Sequence, residues 1–257
     1  MKWLTPAVFL AAGLAAAPAF SQETPEAWIS RLSAVSTKPV EVKQAMKLLI
    51  RGAEITGQGE LLYLDDKHFA TRMEMETFWP EQDKRARMIR RTVGDGQKQW
   101  NEMTSVETGQ GAVQDLSFEQ VKAQAKGDIY EGRINPAQQL LALLEYTDPQ
   151  SVVLGEDTVE LVADITEAGK SKLVPMLGGV VPKKLVVELD RKTGFPRSWK
   201  IQRYIGDTVL SFTYTDVRFP EAKKIDPERF VFRPSGEVSP AAGEAKQDQE
   251  TRVRSDG

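Results

Sequence analysis

The sequence predicts a mainly β fold of the α+β type, in which one long antiparallel sheet carries a few short helices against one face. Three observations lead there. Two-residue alternation of apolar and polar side chains dominates the chain, with its clearest run between Phe69 and Thr77. Helical spacing is confined to short stretches that open on capping residues. The order runs helix, strands, a helical insert and strands again, which gathers the helices on one side of a sheet.

Ahead of these elements, residues 1–21 read as a signal peptide. Lys2 gives the positive start, Val8 to Ala17 the apolar run, and Ala19 and Ser21 the small residues before cleavage at Gln22. The run is too short to span a bilayer, and no later segment reaches ~18 continuous apolar residues, so a soluble, exported product is expected. With no cysteine there is neither a disulfide framework nor a lipid-attachment thiol, and packing alone must hold the fold. Residues 22–233 are long enough for one domain with a sizeable core, and one is expected.

Thr24 and Pro25 open the first helix, with Trp28, Ile29, Leu32 and Val35 at helical spacing and an end before Pro39. Residues 43–51 then switch to a period of two, placing Met46, Leu48 and Ile50 on one face. After the glycine-bearing stretch Gly52 to Gly59, a strand over Leu61 to Leu64 turns at Asp65, Asp66 and Lys67. The next strand sets Phe69, Thr71, Met73, Met75 and Thr77 against Arg72, Glu74 and Glu76, the pattern of a sheet with one wet face. Gly94, Asp95 and Gly96 join strands over 87–93 and 97–103, the second carrying Trp100 and Met103.

Ser117 with Gln120 is a capping box, and Asn135 with Pro136 opens a helix bearing Leu140, Leu141, Leu143 and Leu144. Strands are expected again at Val152 to Leu154, Val159 to Ile165, Leu185 to Leu189, Ser198 to Tyr204, Val209 to Val217 and Arg229 to Arg233. Leu173 to Pro182 reads as an apolar loop loosened by Gly178 and Gly179, either tucked into the core or serving as a flap. The tail, residues 234–257, has no apolar period and is expected to be disordered.

The order of pieces resembles the LolA-like family of periplasmic lipoprotein carriers. The resemblance covers about residues 25–233 and rests on the first helix, the strand beginning Gly59, Glu60, Leu61, and the Gly94 to Gly96 hairpin leading to Trp100. It continues through the leucine helix, the Leu189 to Pro196 turn (Leu, Asp, Arg, Lys, Thr, Gly, Phe, Pro) and the ending with Asp226, Pro227, Phe230 and Phe232. It implies an incomplete antiparallel β-barrel closed on one side by a few short helices, around a cavity that receives acyl chains. One departure concerns the lid: where those carriers place an arginine before a proline, this chain has Asp65 and Asp66.

On that resemblance the expected function is binding of lipid or lipoprotein acyl chains for transport toward the outer membrane. An inner-membrane donor and an outer-membrane acceptor would be its partners, and the protein is expected to act as a monomer without a cofactor. The same fold also serves periplasmic sensors that recognise a protein or lipid signal, so a regulatory binding protein is the second expectation. Cavity-lining candidates are Leu48, Ile50, Leu61, Tyr63, Met73, Met75, Trp100, Val187, Leu189, Trp199, Ile201, Phe212 and Tyr214, each equally readable as ordinary core because alternation reports burial alone. Lid candidates are Leu140, Leu141, Leu144, Met176 and Leu177.

Other function classes find little support. A net charge of −3 with interspersed signs gives no field that would select nucleic acid. The cluster Lys84, Arg85, Arg87, Arg90 and Arg91 reads first as a solvated strand and loop, and second as an anionic headgroup contact. Enzymatic chemistry is not expected, because His68 is the only histidine and no metal spacing or phosphate-binding loop occurs.

Overall fold

The computed structural model describes residues 23–240 except 127, 131, 205, 236 and 237; the predicted signal peptide and most of the predicted disordered tail lie outside them. Helix α1 (Pro25–Ser36) starts where the sequence places it. The Thr24 hydroxyl accepts from the Ala27 N–H at 3.3 Å, and the helix buries Trp28, Leu32 and Val35.

Six strands then run as a meander: β1 (Val40–Ile50), β2 (Ala53–Tyr63), β3 (His68–Trp79), β4 (Lys84–Asp95), β5 (Lys98–Ser105) and β6 (Gly111–Ser117). Helices α2 (Phe118–Ala125) and α3 (Pro136–Leu144) carry the chain to the far edge. It returns through β7 (Thr147–Leu154), β8 (Thr158–Ile165), helix α4 (Glu167–Met176), β9 (Lys184–Asp190), β10 (Pro196–Tyr204) and β11 (Asp207–Arg218). Strand β11 pairs with β1, joining the two meanders into one antiparallel sheet ordered β6-β5-β4-β3-β2-β1-β11-β10-β9-β8-β7. A short strand β12 (Val238–Pro240) adds in parallel to β6, and the two sheet edges do not meet. The fold class read from the sequence is therefore observed: mainly β, an open antiparallel barrel with a few helices.

The helices lie on one face, called concave below. Over β7 to β11 that face is filled. Trp28 and Leu32 of α1, Leu140 and Leu143 of α3 and Leu173 of α4 pack on Leu161, Leu185, Val187, Leu189, Trp199 and Ile201, all at most 1% exposed. The opposite, convex face of β1 to β5 is crossed by the C-terminal segment, whose Ile225 and Phe230 bury Leu62 in a small satellite core.

Several sequence expectations are corrected. Residues 173–176 finish α4, and Leu173 and Leu177 are fully buried, so the segment is not a loose apolar flap. Its glycines end the helix: Gly178 and Gly179 take φ of +64° and +95°, and their N–H groups bond to Pro175 and Val174 carbonyls at 3.2 and 2.8 Å. Leu140 and Leu144 are likewise buried in the core, while Leu141 and Met176 pack at its margin. Arg229 to Arg233 is not a strand, because Asp226 caps a 3-10 helix over Pro227–Phe230 and residues 231–233 have no ladder partner among the described residues. Strand β2 absorbs the glycine-bearing stretch, and β6 was not anticipated.

Candidate functional site

Register assigns the faces. Across the concave side, Tyr214, Gln44, Gly59, Met73, Arg90 and Met103 form one row, and Phe212, Met46, Gly57, Met75, Met88 and Ser105 form the next. Met46, Met73, Met75, Met88 and Met103 thus share one wall. The two glycines of β2 sit in its middle, and neighbouring atoms close over both of them. A Cβ at Gly57 would lie 2.8 Å from Met46 Cγ and 3.3 Å from Met73 Sδ, so both thioethers lean over the glycine.

On the same face the methionines border a cavity of about 220 Å³. Gln44, Met46, Leu61, Thr71, Met73, Met75, Arg90, Thr92 and Phe212 line it from the sheet, and Tyr130, Ile134 and Gln139 line it from the segment crossing above. A second hollow of about 220 Å³ lies on the far side of Ile134, beneath Phe118 and Val121 of α2. A larger hollow, about 620 Å³, is a trough on the convex face between Lys43, Glu60, Arg72, Glu74 and Arg87. Charges of both signs wall that trough, and it lacks the continuous apolar surface that holds a chain. The methionine-lined cavity is the better candidate despite its size.

The wall between cavity and packed core is aromatic. Trp199 stacks on Phe212 with centroids 4.7 Å apart, Phe212 stacks on Tyr214 at 6.3 Å, and Trp199 Nε1 donates to the Tyr214 hydroxyl at 3.2 Å. Burial pushes the Tyr214 hydroxyl up from its ordinary value. Tyr63 closes the other end: its hydroxyl donates to Asp66 Oδ1 at 2.7 Å and accepts from Gln138 Nε2 at 3.0 Å, and burial, then Asp66, raise its pKa. The Tyr130 hydroxyl differs. It is shut off from solvent, has no hydrogen-bond partner among the described residues, and is held protonated mainly by burial.

Of the residues singled out in the sequence, Leu61, Met73, Met75 and Phe212 line the cavity. Leu48 and Ile50 share the concave face farther along β1, while Tyr63, Val187, Leu189, Trp199, Ile201 and Tyr214 belong to the buried core. Trp100 is a correction. It lies on the convex face, opposite Val93 and Asp115, stacked on Phe232 at 5.0 Å and donating to Asp95 Oδ2 at 2.8 Å. Sequence reading missed Gln44, Thr92, Tyr130, Ile134 and Gln139, and placed Arg90 only in a basic cluster. Carrying the two-residue alternation of β4 through to Thr92 would have put Met88, Arg90 and Thr92 on one face. That cluster is divided by the sheet: Arg85, Arg87 and Arg91 pair on the convex side with Glu76, Glu107 and Glu102, whereas Arg90 faces the cavity.

Among the described residues, no group of three or more His, Cys, Asp or Glu side chains could hold a metal ion. His68 sits at the start of β3, 3.0 Å from Asp65, with its ring against Phe230. No helix among the described residues is long and apolar enough to cross a membrane.

No protein-family model matches the sequence, and comparison with curated proteins gives no match either. Among solved structures, the chain is similar to LprF from Mycobacterium bovis at 10% identity and a TM-score of 0.48, over 77% of this chain and 98% of that one. It is similar to lipoprotein LppX from Mycobacterium tuberculosis at 10% identity and a TM-score of 0.41, over 77% and 98% of the two chains. It is also similar to a LolA superfamily protein from Nitrosomonas europaea at 9% identity and a TM-score of 0.29, over 81% and 98%. The likeness is one of fold.

Proposed function

We propose that this protein is an exported, periplasmic carrier that shields an acyl chain of a lipid or lipoprotein in the methionine-lined cavity, for transfer toward the outer membrane, with residues 22–233 acting as one unit. The carrying observation is the apolar wall of Met46, Met73, Met75 and Phe212 around the cavity on the concave face. Thioethers adapt to flexible apolar shapes, and such a wall suits a ligand defined by its length more than by its outline. The cavity is small beside the ~300–1,000 Å³ of drug-sized sites, which favours one chain with its head outside. Each methylene withdrawn from water contributes about 0.8 kcal/mol, so one chain supplies the driving force for capture, and release needs a better apolar acceptor.

The test is mass spectrometry of organic extracts from natively purified protein, paired with Met73→Glu. An acyl-bearing lipid should co-purify with the wild type and be missing from a variant that circular dichroism shows folded, because a carboxylate in that wall must be desolvated or protonated. Full lipid loading of the folded variant would remove the cavity from consideration. A specific protein captured without any lipid would favour a sensor in place of a carrier.

A further inference from the structure

The strands sort charge as strictly as they sort hydrophobicity. Every carboxylate of β1 to β6 stands at a convex register position, and the only charged residues at concave positions are Arg90 and Lys84. Lys84 Nζ lies over the Trp79 ring, 5.7 Å from its centroid. Arg90 has Met73 and Met103 directly opposite on its two neighbouring strands, with Met88 and Thr92 flanking it on its own. It is exposed at the cavity's rim and makes no ion pair or hydrogen bond with the described residues. The Arg90 guanidinium thus stands among thioethers without a partner among the described residues, while its neighbours Arg85, Arg87 and Arg91 are all paired behind the sheet.

Tyr130 covers the cavity from the segment above, and its hydroxyl is excluded from water with no partner among the described residues, so the group that meets a ligand's head at the rim is the Arg90 guanidinium. Among the described residues of that segment the charged ones are Lys126, Asp128, whose Oδ1 accepts from the Tyr130 N–H at 3.2 Å, and Arg133.

We propose that the cavity selects amphiphiles whose acyl chain ends in an anionic head, a carboxylate or a phosphate monoester, with the head on the Arg90 guanidinium at the rim. The inference rests on the acyl-chain reading above and adds the charge of what is bound. The chain runs along Met46, Met73 and Phe212, and the convex carboxylates stay on the far side of the sheet, where they do not oppose the head.

The full chain is titrated with palmitate, hexadecyl phosphate and methyl palmitate, in the wild type and in the Arg90→Gln, Arg90→Lys and Tyr130→Phe variants. Both anions should bind the wild type at least about tenfold tighter than the neutral ester, the scale of one charge-assisted contact. Arg90→Gln should reduce the anions to the affinity of the ester and leave the ester unchanged, Arg90→Lys should keep part of the preference, and Tyr130→Phe, which leaves the rim cation in place, should keep the full preference for the anions. A tighter phosphate identifies a phospholipid-like source and a tighter carboxylate a free fatty acid. If the ester binds the wild type as tightly as the anions, or if Arg90→Gln weakens all three equally, head recognition is overturned while acyl binding stands. If folded protein binds none of the three, the acyl-chain reading itself falls.

Discussion

Gly57 and Gly59 stand two residues apart on β2, yet a methyl group at each would meet a different neighbour. At Gly57 the nearest atoms belong to the flexible ends of Met46 and Met73, whereas at Gly59 a Cβ would lie 2.0 Å from the Arg72 carbonyl oxygen, part of the adjoining backbone. Gly57→Ala should therefore cost less than about 1 kcal/mol, because thioethers move aside, and Gly57→Leu should fill the cavity and abolish chain binding in a folded protein. Gly59→Ala should cost about 3 kcal/mol or more, because the sheet itself must shift. Denaturant unfolding alongside probe binding separates the two, and equal destabilisation by both alanines would contradict the reading. At this scale the sequence was partly legible. Met73 and Met75 are visible because their alternation is local, while Trp100 looked like lining because its cover, Phe232, comes from a distant part of the chain.

Three hairpin turns share one device. The carboxylate of Asp65 accepts from the Lys67 and His68 N–H groups, that of Asp95 from Gln97 and Lys98, and that of Asp190 from Lys192 and Thr193, all between 2.8 and 3.1 Å. Partial burial alone would raise these carboxyl groups, but the hydrogen bonds outweigh it and hold all three below the usual aspartate range; Arg197 adds to the effect at Asp190. A folded pKa below the unfolded one gives stability that is complete above the unfolded value, about 4, and is lost as pH falls through the lowered values. Unfolding free energy should thus be level near neutrality and fall below pH ~4, with a shallower acid slope in Asp190→Asn, which keeps an acceptor oxygen but cannot titrate. Denaturant titrations at stepped pH measure it, and an unchanged slope would exclude Asp190.

These turns are legible because each device spans only a few residues. Helix α4 was not, since Pro175 inside it and the paired glycines after it imitate a loop. The Arg229 to Arg233 segment alternates like a strand, but alternation cannot say whether a ladder partner exists.

Across the whole molecule, the C-terminal segment is tied to the back of the sheet at one buried carboxylate. Glu102, its side chain 1% exposed, accepts from Arg91 at 2.8 Å and from the Ser235 backbone N–H and hydroxyl at 2.8 and 2.6 Å, while Arg91 also donates to the Arg233 carbonyl. Glu102→Ala should cost about 1.5–3 kcal/mol and speed amide exchange over residues 229–235 while leaving α1 protected. Exchange that stays slow there would mean that Phe230 and Phe232 hold the segment unaided. None of this long-range ordering was visible in the sequence, and neither was the pairing of β1 with β11, because contacts between distant segments leave no local period.

The two ends of the sheet are not bonded to each other. A closed barrel has its interior dimensions set by strand number and stagger. In an open arc the angle between neighbouring strands can widen or tighten while every ladder bond survives, so the enclosed volume behaves as a compliant quantity. Compliance of this kind would grade affinity smoothly with the length of the guest, where a rigid vessel would impose a cut-off.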